Sequence, residues 1–130
     1  MSEELADFLN SWTEDTNQIK GLFLHMRNLL LTLDGVSLEY KGRPGVSHSL
    51  RARKSGQSRP LFVLIDVIDD DPAARWLSVC FYADLLKDPK ELGDVVPGGL
   101  MGEDARCFDL EGPEQTTYIL RCLEEAYNNS

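Results

Sequence analysis

The chain is poor in the residue patterns on which metal proteins and nucleophilic enzymes depend. Its 130 residues include two histidines and three cysteines, with no Cys-x-x-C pair. Neither histidine lies near a cysteine in sequence, so the ligand spacing of zinc sites is missing. His25 and His48 also lack a readable serine or cysteine partner, which leaves a nucleophilic triad unsupported. We therefore predict a non-catalytic protein that uses no metal and no cofactor.

Long apolar runs are missing as well. No run approaches the roughly 18 residues that a membrane-spanning helix needs. The segment 1–7 is acidic and has neither the basic part nor the apolar part of a signal peptide. We therefore expect a cytoplasmic protein without a membrane partner. The cysteines Cys80, Cys107 and Cys122 are odd in number and widely spaced, and we predict buried thiols that behave as small hydrophobic side chains.

Positive charge is scarce and is concentrated in one segment. Thirteen Lys and Arg residues stand against 22 Asp and Glu residues, which gives a net charge of −9. Six of the thirteen occur without an intervening acid, and they are Lys41, Arg43, Arg51, Arg53, Lys54 and Arg59. The summed field of a protein selects the sign of its partners. The segment therefore indicates an anionic partner or an acidic surface of a second copy.

The length and the apolar periodicity predict one domain, residues 1–130, with its own core. Apolar residues at helical spacing predict a short helix over 3–11 and a longer one over 14–33. We interpret residues 1–13 as an appendage that docks on a partner copy, because chain termini are loose unless they are tied down. A last helix is expected to begin near Gly112 and to run close to the end of the chain.

Alternating and continuous apolar segments predict five strands. Residues 36–41 and 46–53 alternate in polarity, as half-buried strands do. The nearly continuous apolar run 61–68 predicts a central strand, and 76–82 predicts a fourth strand antiparallel to it. A fifth strand is expected over 106–110. The resulting α-α-β-β-β-β-α-β-α order predicts an α+β fold, with helices on one face of a mainly antiparallel sheet.

The connections between these elements are also predicted. The apolar residues of the first two strands have even numbers, and they must all lie on the same face of the sheet. The numbers of two paired residues must therefore add up to an even number. A three-residue Arg43–Gly45 loop with Gly45 in the left-handed region satisfies this and pairs Tyr40 with His48. Asp88-Pro89 predicts a short helix that stops at Gly93. Residues 94–104 are expected to form a glycine-rich loop.

Short motifs in the second half of the chain follow a familiar order. They are Asp88-Pro89 with Leu92, Val96-Pro97-Gly98 with Met101, Phe108-Asp109-Leu110 and Glu125-Ala126-Tyr127. In this order the chain resembles the YjbR (MmcQ) family of small bacterial proteins. The resemblance implies a compact α+β fold similar to type III secretion chaperones, with DNA binding suggested and no agreed catalytic residues. The chain departs from the family pattern at Gly99-Leu100-Met101 and at Arg106-Cys107-Phe108, where an aromatic His-Met pair and a tryptophan are usual.

The open face of the predicted sheet is the candidate partner surface. In the third strand the odd positions are placed inward, because Asp66 must avoid the core. An aromatic and apolar patch then faces outward beside two arginines and needs a cover. The predicted partner-binding residues are Phe62, Leu64, Trp76, Tyr82, Arg51 and Arg53. We predict a module that binds a protein or peptide or associates with itself as a homodimer.

The alternative hypothesis is nucleic-acid or anion binding through the basic segment 41–59. Aromatic rings beside cations are typical of proteins that bind single strands. The acidic remainder of the chain would repel nucleic acid, which makes it the less favoured partner. The aspartates from Asp66 to Asp71 lack the order of a calcium loop. His48 is predicted to be a hydrogen-bonded core residue opposite Tyr40.

Overall fold

A computed structural model describes residues 2–130. The helices are α1 (Glu3–Ser11), α2 (Lys20–Thr32) and α3 (Thr116–Asn128). The strands are β1 (Val36–Arg43), β2 (Ser47–Lys54), β3 (Val63–Ile68), β4 (Trp76–Tyr82), β5 (Asp94–Leu100) and β6 (Glu103–Leu110). Short 3₁₀ turns occupy Ala83–Leu85 and Pro113–Gln115. The predicted α+β class is confirmed, with six strands in the described residues rather than five.

The strands form one antiparallel sheet in the order β1-β2-β3-β4-β6-β5. Strands β3 and β4 lie at its centre, while β1 and β5 form its edges. No helix among residues 2–130 is long and apolar enough to span a membrane.

Burial alternates along the central strands and defines two faces. Val63, Ile65 and Val67 of β3 are fully buried, whereas the even-numbered residues between them are half-buried. The helices pack on the buried side, where the Phe8 ring of α1 stacks on the His48 ring at a centroid distance of 3.6 Å. We call this side the inner face and the opposite side the outer face.

Helix α1 belongs to the core of its own chain. Its apolar residues Leu5, Phe8 and Leu9 are buried, and Trp12 just after it is buried too. The side chain of Ser2 accepts a hydrogen bond from the backbone N–H of Leu5, which caps the first turn. The predicted stripe of α1 therefore covers the inner face of the sheet from the same subunit.

The pairing predicted for the first hairpin is wrong by two residues. Gly42, not Tyr40, lies opposite His48, and Tyr40 lies opposite Leu50. The turn is shifted to residues 44–46, with Gly45 at a φ of +81°. A shift of two residues preserves the side on which each residue lies, so His48, Leu50 and Ala52 are buried as predicted, whereas Val46 now lies in the turn and is 58% exposed.

The predicted helix 88–93 is a turn instead. Asp88 has a φ of +44°, which lies outside the helical region. Its buried carboxylate accepts hydrogen bonds from the backbone N–H of Leu92, from Arg106 Nη1 and from the Tyr118 hydroxyl. The residue therefore ties this turn to β6 and α3 rather than starting a helix.

The predicted loop 94–104 is largely a hairpin. Residues Asp94–Leu100 form β5, and a Met101-Gly102 turn leads directly into β6. Pairing is irregular between Val96 and Leu100, where the strand contains Pro97 and two glycines. Proline and glycine are tolerated on an edge strand, where the outer hydrogen-bonding side is free. The strand is exposed up to residue 99, so its apolar residues give no alternating pattern.

Candidate functional site

The outer face is a broad sheet surface on which no described helix packs. Its centre carries the apolar residues Leu64 and Ile68 on β3 and Trp76 at the start of β4, with the polar pair Asp66 and Ser78 between them. These side chains remain half-buried between neighbouring strands. The outer face therefore exposes part of an apolar centre, as predicted for Leu64 and Trp76.

Charge is distributed unevenly across the outer face. Residues that are paired across neighbouring strands lie on the same face of a sheet. The strand pairing therefore shows which charged residues belong to the outer face. The β1–β2 side carries four bases and one acid, which are Lys41, Arg43, Arg51, Arg53 and Glu39. The β6–β5 side carries three exposed acids, Asp94, Asp109 and Glu103, of which Glu103 is paired with Arg59. A positive side and a negative side thus flank the apolar centre.

Phe62 does not belong to this surface, which corrects the prediction. It is 0% exposed and precedes β3. Its backbone N–H donates to the Ala52 carbonyl, and its ring meets the Tyr127 ring of α3 edge-on at 5.9 Å. Since α3 lies over the inner face, Phe62 leaves the strict alternation of β3 and packs inward.

Tyr82 is also covered within the chain and is 0% exposed. The Arg59 guanidinium lies over its ring at 4.2 Å from the centroid. Arg59 is held there by ion pairs to Asp84 and Glu103, each at 2.8 Å. The prediction that Tyr82 needs a partner to cover it is therefore wrong, because the segment before β3 supplies the cover.

The six basic residues of segment 41–59 do not form one surface. Arg59 lies over the Tyr82 ring. Lys54 Nζ donates a hydrogen bond to the Tyr127 carbonyl and lies over the Tyr127 ring, at 4.3 Å from its centroid. The other four, Lys41, Arg43, Arg51 and Arg53, lie on the outer face. Any anion site would therefore have four of the six predicted residues.

Two of the three cysteines are joined. Cys80 on β4 and Cys107 on β6 are directly opposite each other and form a disulfide. Both were predicted to be thiols, and the prediction fails because folding pairs two strands whose cysteines are 27 residues apart. Only Cys122 is a free, buried thiol, and burial raises its pKa to about 12. Disulfides persist mainly in oxidising compartments, so the cytoplasmic location stays a prediction.

A buried polar chain lies under α1 on the inner side. The Tyr40 hydroxyl is 2.7 Å from His48 Nδ1, and His48 Nε2 is 2.8 Å from Asp69 Oδ2. Arg75 Nε donates to Asp69 Oδ1 at 2.6 Å. The predicted hydrogen-bonded core histidine is confirmed, and Asp69, its second partner, connects it to Arg75. We call these four side chains the inner polar chain.

The charge state of Asp69 fixes the direction of its hydrogen bond with His48. Burial alone would raise the pKa of Asp69, but hydrogen bonds from Arg75 and His48 lower it, so the carboxylate is ionised. An ionised carboxylate only accepts, so His48 Nε2 carries the proton.

A cavity of about 420 Å³ opens beside the inner polar chain. Its wall includes Phe8, Tyr40, His48, Asp69 and Arg75, and its mouth includes Glu4, Asp7 and Ser11 of α1. Asp69 directly follows β3 and Arg75 directly precedes β4. The Ile68–Trp76 pairing brings the two together, so correct hairpin pairing is the signal by which they could have been found from sequence.

Comparison with known proteins gives no match to a family model, to a curated protein or to a solved structure. The resemblance to the YjbR family therefore stays a prediction. No group of three or more His, Cys, Asp or Glu side chains in residues 2–130 is arranged to hold a metal ion.

Proposed function

We propose that this chain is a non-catalytic, self-associating module that forms a homodimer through its outer face. One observation carries the proposal: a helix-free sheet face has a positive side, a half-buried apolar centre and a negative side. Such a face is complementary to a second copy of itself. Self-complementarity is what a two-fold symmetric interface requires, because both subunits use the same patch.

The orientation of the dimer follows from the charges. A two-fold axis parallel to the strands, between β3 and β4, places β1 over β5 and β2 over β6 of the other copy. The bases of β1 and β2 then lie over the strands that carry Asp94 and Asp109, with Arg51 one row of side chains from Asp109, Lys41 one row from Asp94, and Glu39 level with Asp94. A two-fold axis perpendicular to the strands would place the basic sides over each other. The first arrangement is favoured because complementary potentials set the register and like charges oppose it.

The apolar centre supplies the contact between the two sheets. Trp76, Leu64 and Ile68 lie near the proposed axis on the two central strands, together with Asp66, whose carboxylate accepts a hydrogen bond from the Ser49 hydroxyl. Two sheets packed face to face interdigitate such side chains across about 10 Å, with strand directions within about 30°. Tryptophan is among the residues that contribute most to interface affinity. We therefore expect Trp76 to contribute most to the association.

The face is also of suitable size. Six strands spaced about 4.8 Å apart, with paired segments of roughly six to seven residues at about 3.3 Å each, cover roughly 600 Å² in projection. Its accessible area is larger, because side chains make the surface rough. Stable interfaces bury about 800 Å² per partner. One face against another therefore provides an interface of ordinary size.

Sedimentation equilibrium of the wild type and of Trp76→Ala tests the proposal. We expect a wild-type dimer whose dissociation constant rises about 30-fold or more in the variant, because a central anchor is removed. The control is Leu31→Ala, which removes a 59% exposed apolar side chain from α2, outside the outer face. A monomeric wild type, or a dimer equally strong in Trp76→Ala, would contradict the proposal.

Nucleic acid is the competing occupant of the same face. If the four outward bases bind a single strand, fluorescence anisotropy of a labelled oligonucleotide will show affinity that falls steeply with salt. The homodimer proposal expects no saturable oligonucleotide binding by the acidic protein. Saturable, salt-sensitive binding that Arg51→Ala and Arg53→Ala abolish would reassign the outer face.

A further inference from the structure

We propose that the free edge of β1 binds an extended peptide segment in which apolar and charged residues alternate, so that the segment adds a strand to the sheet. Strand β1 has a neighbouring strand on one side only. At that end of the inner face, the helices leave an apolar groove along the strand. The groove lies on the inner side and the edge lies beyond β1, so this inference does not depend on the homodimer.

The backbone of β1 offers a regular row of hydrogen-bonding groups at this edge. In an antiparallel pair, alternate residues exchange backbone hydrogen bonds with the partner strand. Gly35 and Ser55 continue the β1–β2 register, and the Ser55 N–H donates to the Gly35 carbonyl at 2.8 Å. The odd-numbered residues of β1 therefore bond to β2. The N–H and C=O groups of Leu38 and Tyr40 then point away from β2, toward the free edge.

The opposite edge of the sheet does not offer such a row. Strand β5 contains Pro97, which has no N–H, and its pairing with β6 is irregular between Val96 and Leu100. Proline and irregular pairing are devices by which proteins protect an edge against strand addition. Strand β1 contains no proline, and its pairing with β2 has no register shift. Strand addition is therefore favoured at β1.

Apolar side chains line the groove beside β1. Val36, Leu38 and Tyr40 are half-buried on the inner side of the strand, and Leu31 of α2, which lines the same groove, is 59% exposed. The groove encloses about 210 Å³. Small-molecule sites usually measure about 300–1,000 Å³, so this space suits single side chains of a bound segment rather than a whole ligand. Alternate residues of an added strand point to this side, and we expect them to be apolar.

The outward side chains of β1 specify the charges of the segment. Glu39, Lys41 and Arg43 are exposed on the outer face, and none of the ion pairs found among residues 2–130 involves them. Residues directly opposite each other in neighbouring strands interact, and opposite charges are favourable there. The added strand is therefore expected to carry acids beside Lys41 and Arg43 and a base beside Glu39.

Fluorescence anisotropy of a labelled, end-capped peptide, Gly-Glu-Val-Glu-Val-Lys-Val-Thr-Gly, tests the inference. Antiparallel pairing places its acids opposite Arg43 and Lys41, its lysine opposite Glu39, and two of its valines opposite Tyr40 and Leu38. We expect saturable binding, and about tenfold weaker binding of a peptide in which the acids and the lysine are exchanged. The field of the acidic protein alone would favour the exchanged, net positive peptide. Absence of saturable binding, or equal affinity for the two peptides, would overturn the proposal.

N-methylated peptides separate strand addition from binding in the groove alone. Methyl groups on the backbone nitrogens of the valines opposite Leu38 and Tyr40 remove the donors that meet β1. Methyl groups on the second glutamate and the lysine lie at the far edge of the added strand instead. We expect the first modification to weaken binding about 30-fold and the second to leave the affinity unchanged. Equal affinity of the two methylated peptides would contradict strand addition.

Two leucine variants of the protein locate the binding site. Leu31→Ala shortens a side chain of the groove, so we expect it to bind the peptide about fivefold more weakly. The matched control is Leu92→Ala, which removes a 41% exposed leucine that does not line the groove and should leave the affinity unchanged. Equal effects of the two variants would contradict this site. A peptide that fails to bind, together with self-association that persists in Trp76→Ala, would assign the edge to a second copy and overturn the proposal.

Discussion

Asp66 and Asp69 are three residues apart in sequence, yet they lie on opposite sides of the sheet and their carboxylates have different environments. Asp69 is buried with the inner polar chain, where hydrogen bonds from Arg75 and His48 overcome the effect of burial and lower its pKa. Asp66 lies half-buried on the outer face and accepts a hydrogen bond from the Ser49 hydroxyl. Burial raises the pKa of Asp66, because this hydroxyl and the nearby Arg51 only partly offset the cost.

The inner face of the sheet is covered by residues of the same chain, whereas the outer face is not. On the inner side, a cation and a histidine compensate the buried carboxylate, so the structure needs nothing further there. On the outer side, the apolar centre and the charged sides are left without a helix over them. We therefore assign stability mainly to the inner side and association to the outer side.

The largest effect is expected from Asp69→Ala. Removing one member of a buried ionic network leaves the Arg75 charge uncompensated, which typically costs about 3–5 kcal/mol. Urea unfolding of both proteins measures the difference in free energy of unfolding. The control is Asp70→Ala, which alters an exposed neighbour and should change stability by less than about 0.5 kcal/mol. Equal effects of the two substitutions would remove the contrast between the faces.

The disulfide is the exception on the outer side, because it contributes to stability there. Cys80→Ser with Cys107→Ser opens a loop that spans 27 residues, which should cost about 2–4 kcal/mol. Urea unfolding with and without a reductant measures this. Reductant should lower the stability of the wild type and leave the double variant unchanged. A wild type that is insensitive to complete reduction would show that the disulfide adds nothing.

The smallest effect is expected from Asp66→Asn. Because the folded-state pKa of Asp66 lies above its unfolded value, stability is lost as pH rises from the unfolded value through the folded one. At neutral pH the ionised carboxylate opposes folding, so the variant should be more stable, by less than about 1 kcal/mol. Below the unfolded pKa, both side chains are neutral and the difference should vanish. Thermal unfolding of the monomeric proteins at several pH values measures the difference in stability. A variant that is less stable than the wild type at neutral pH would contradict the raised pKa of Asp66.

The sequence predicted the elements whose side chains alternate regularly and failed where tertiary contacts override alternation. The inner apolar residues of β3 and β4, and His48, Leu50 and Ala52 of β2, follow the period of a strand and are buried. Phe62 does not follow the alternation of β3, because its ring packs against Tyr127 of α3. Tyr82 keeps its side but is hidden by Arg59, which is distant in sequence.

The features missed from sequence involve residues that only folding brings together. Cys80 meets Cys107 only once β6 pairs with β4. Asp69 and Arg75 lie at the two ends of the loop between β3 and β4, and Asp69 is hydrogen-bonded to His48 of β2. The edge strand β5 gives no signal, because it is exposed and contains Pro97. The candidate outer face could therefore be predicted in part, while the inner polar chain and its cavity required coordinates.

Complementary charge reversal tests the proposed homodimer most directly. One variant carries Arg51→Glu and Arg53→Glu, and the other carries Asp94→Lys and Asp109→Lys. Each variant alone would place like charges over each other at both sides of the two-fold interface, so we predict monomers in light scattering. Mixed together, one variant has two negative sides and the other two positive sides, and we predict that they form a heterodimer. Two variants that stay monomeric when mixed, or that each dimerise alone like the wild type, would contradict association through the outer face.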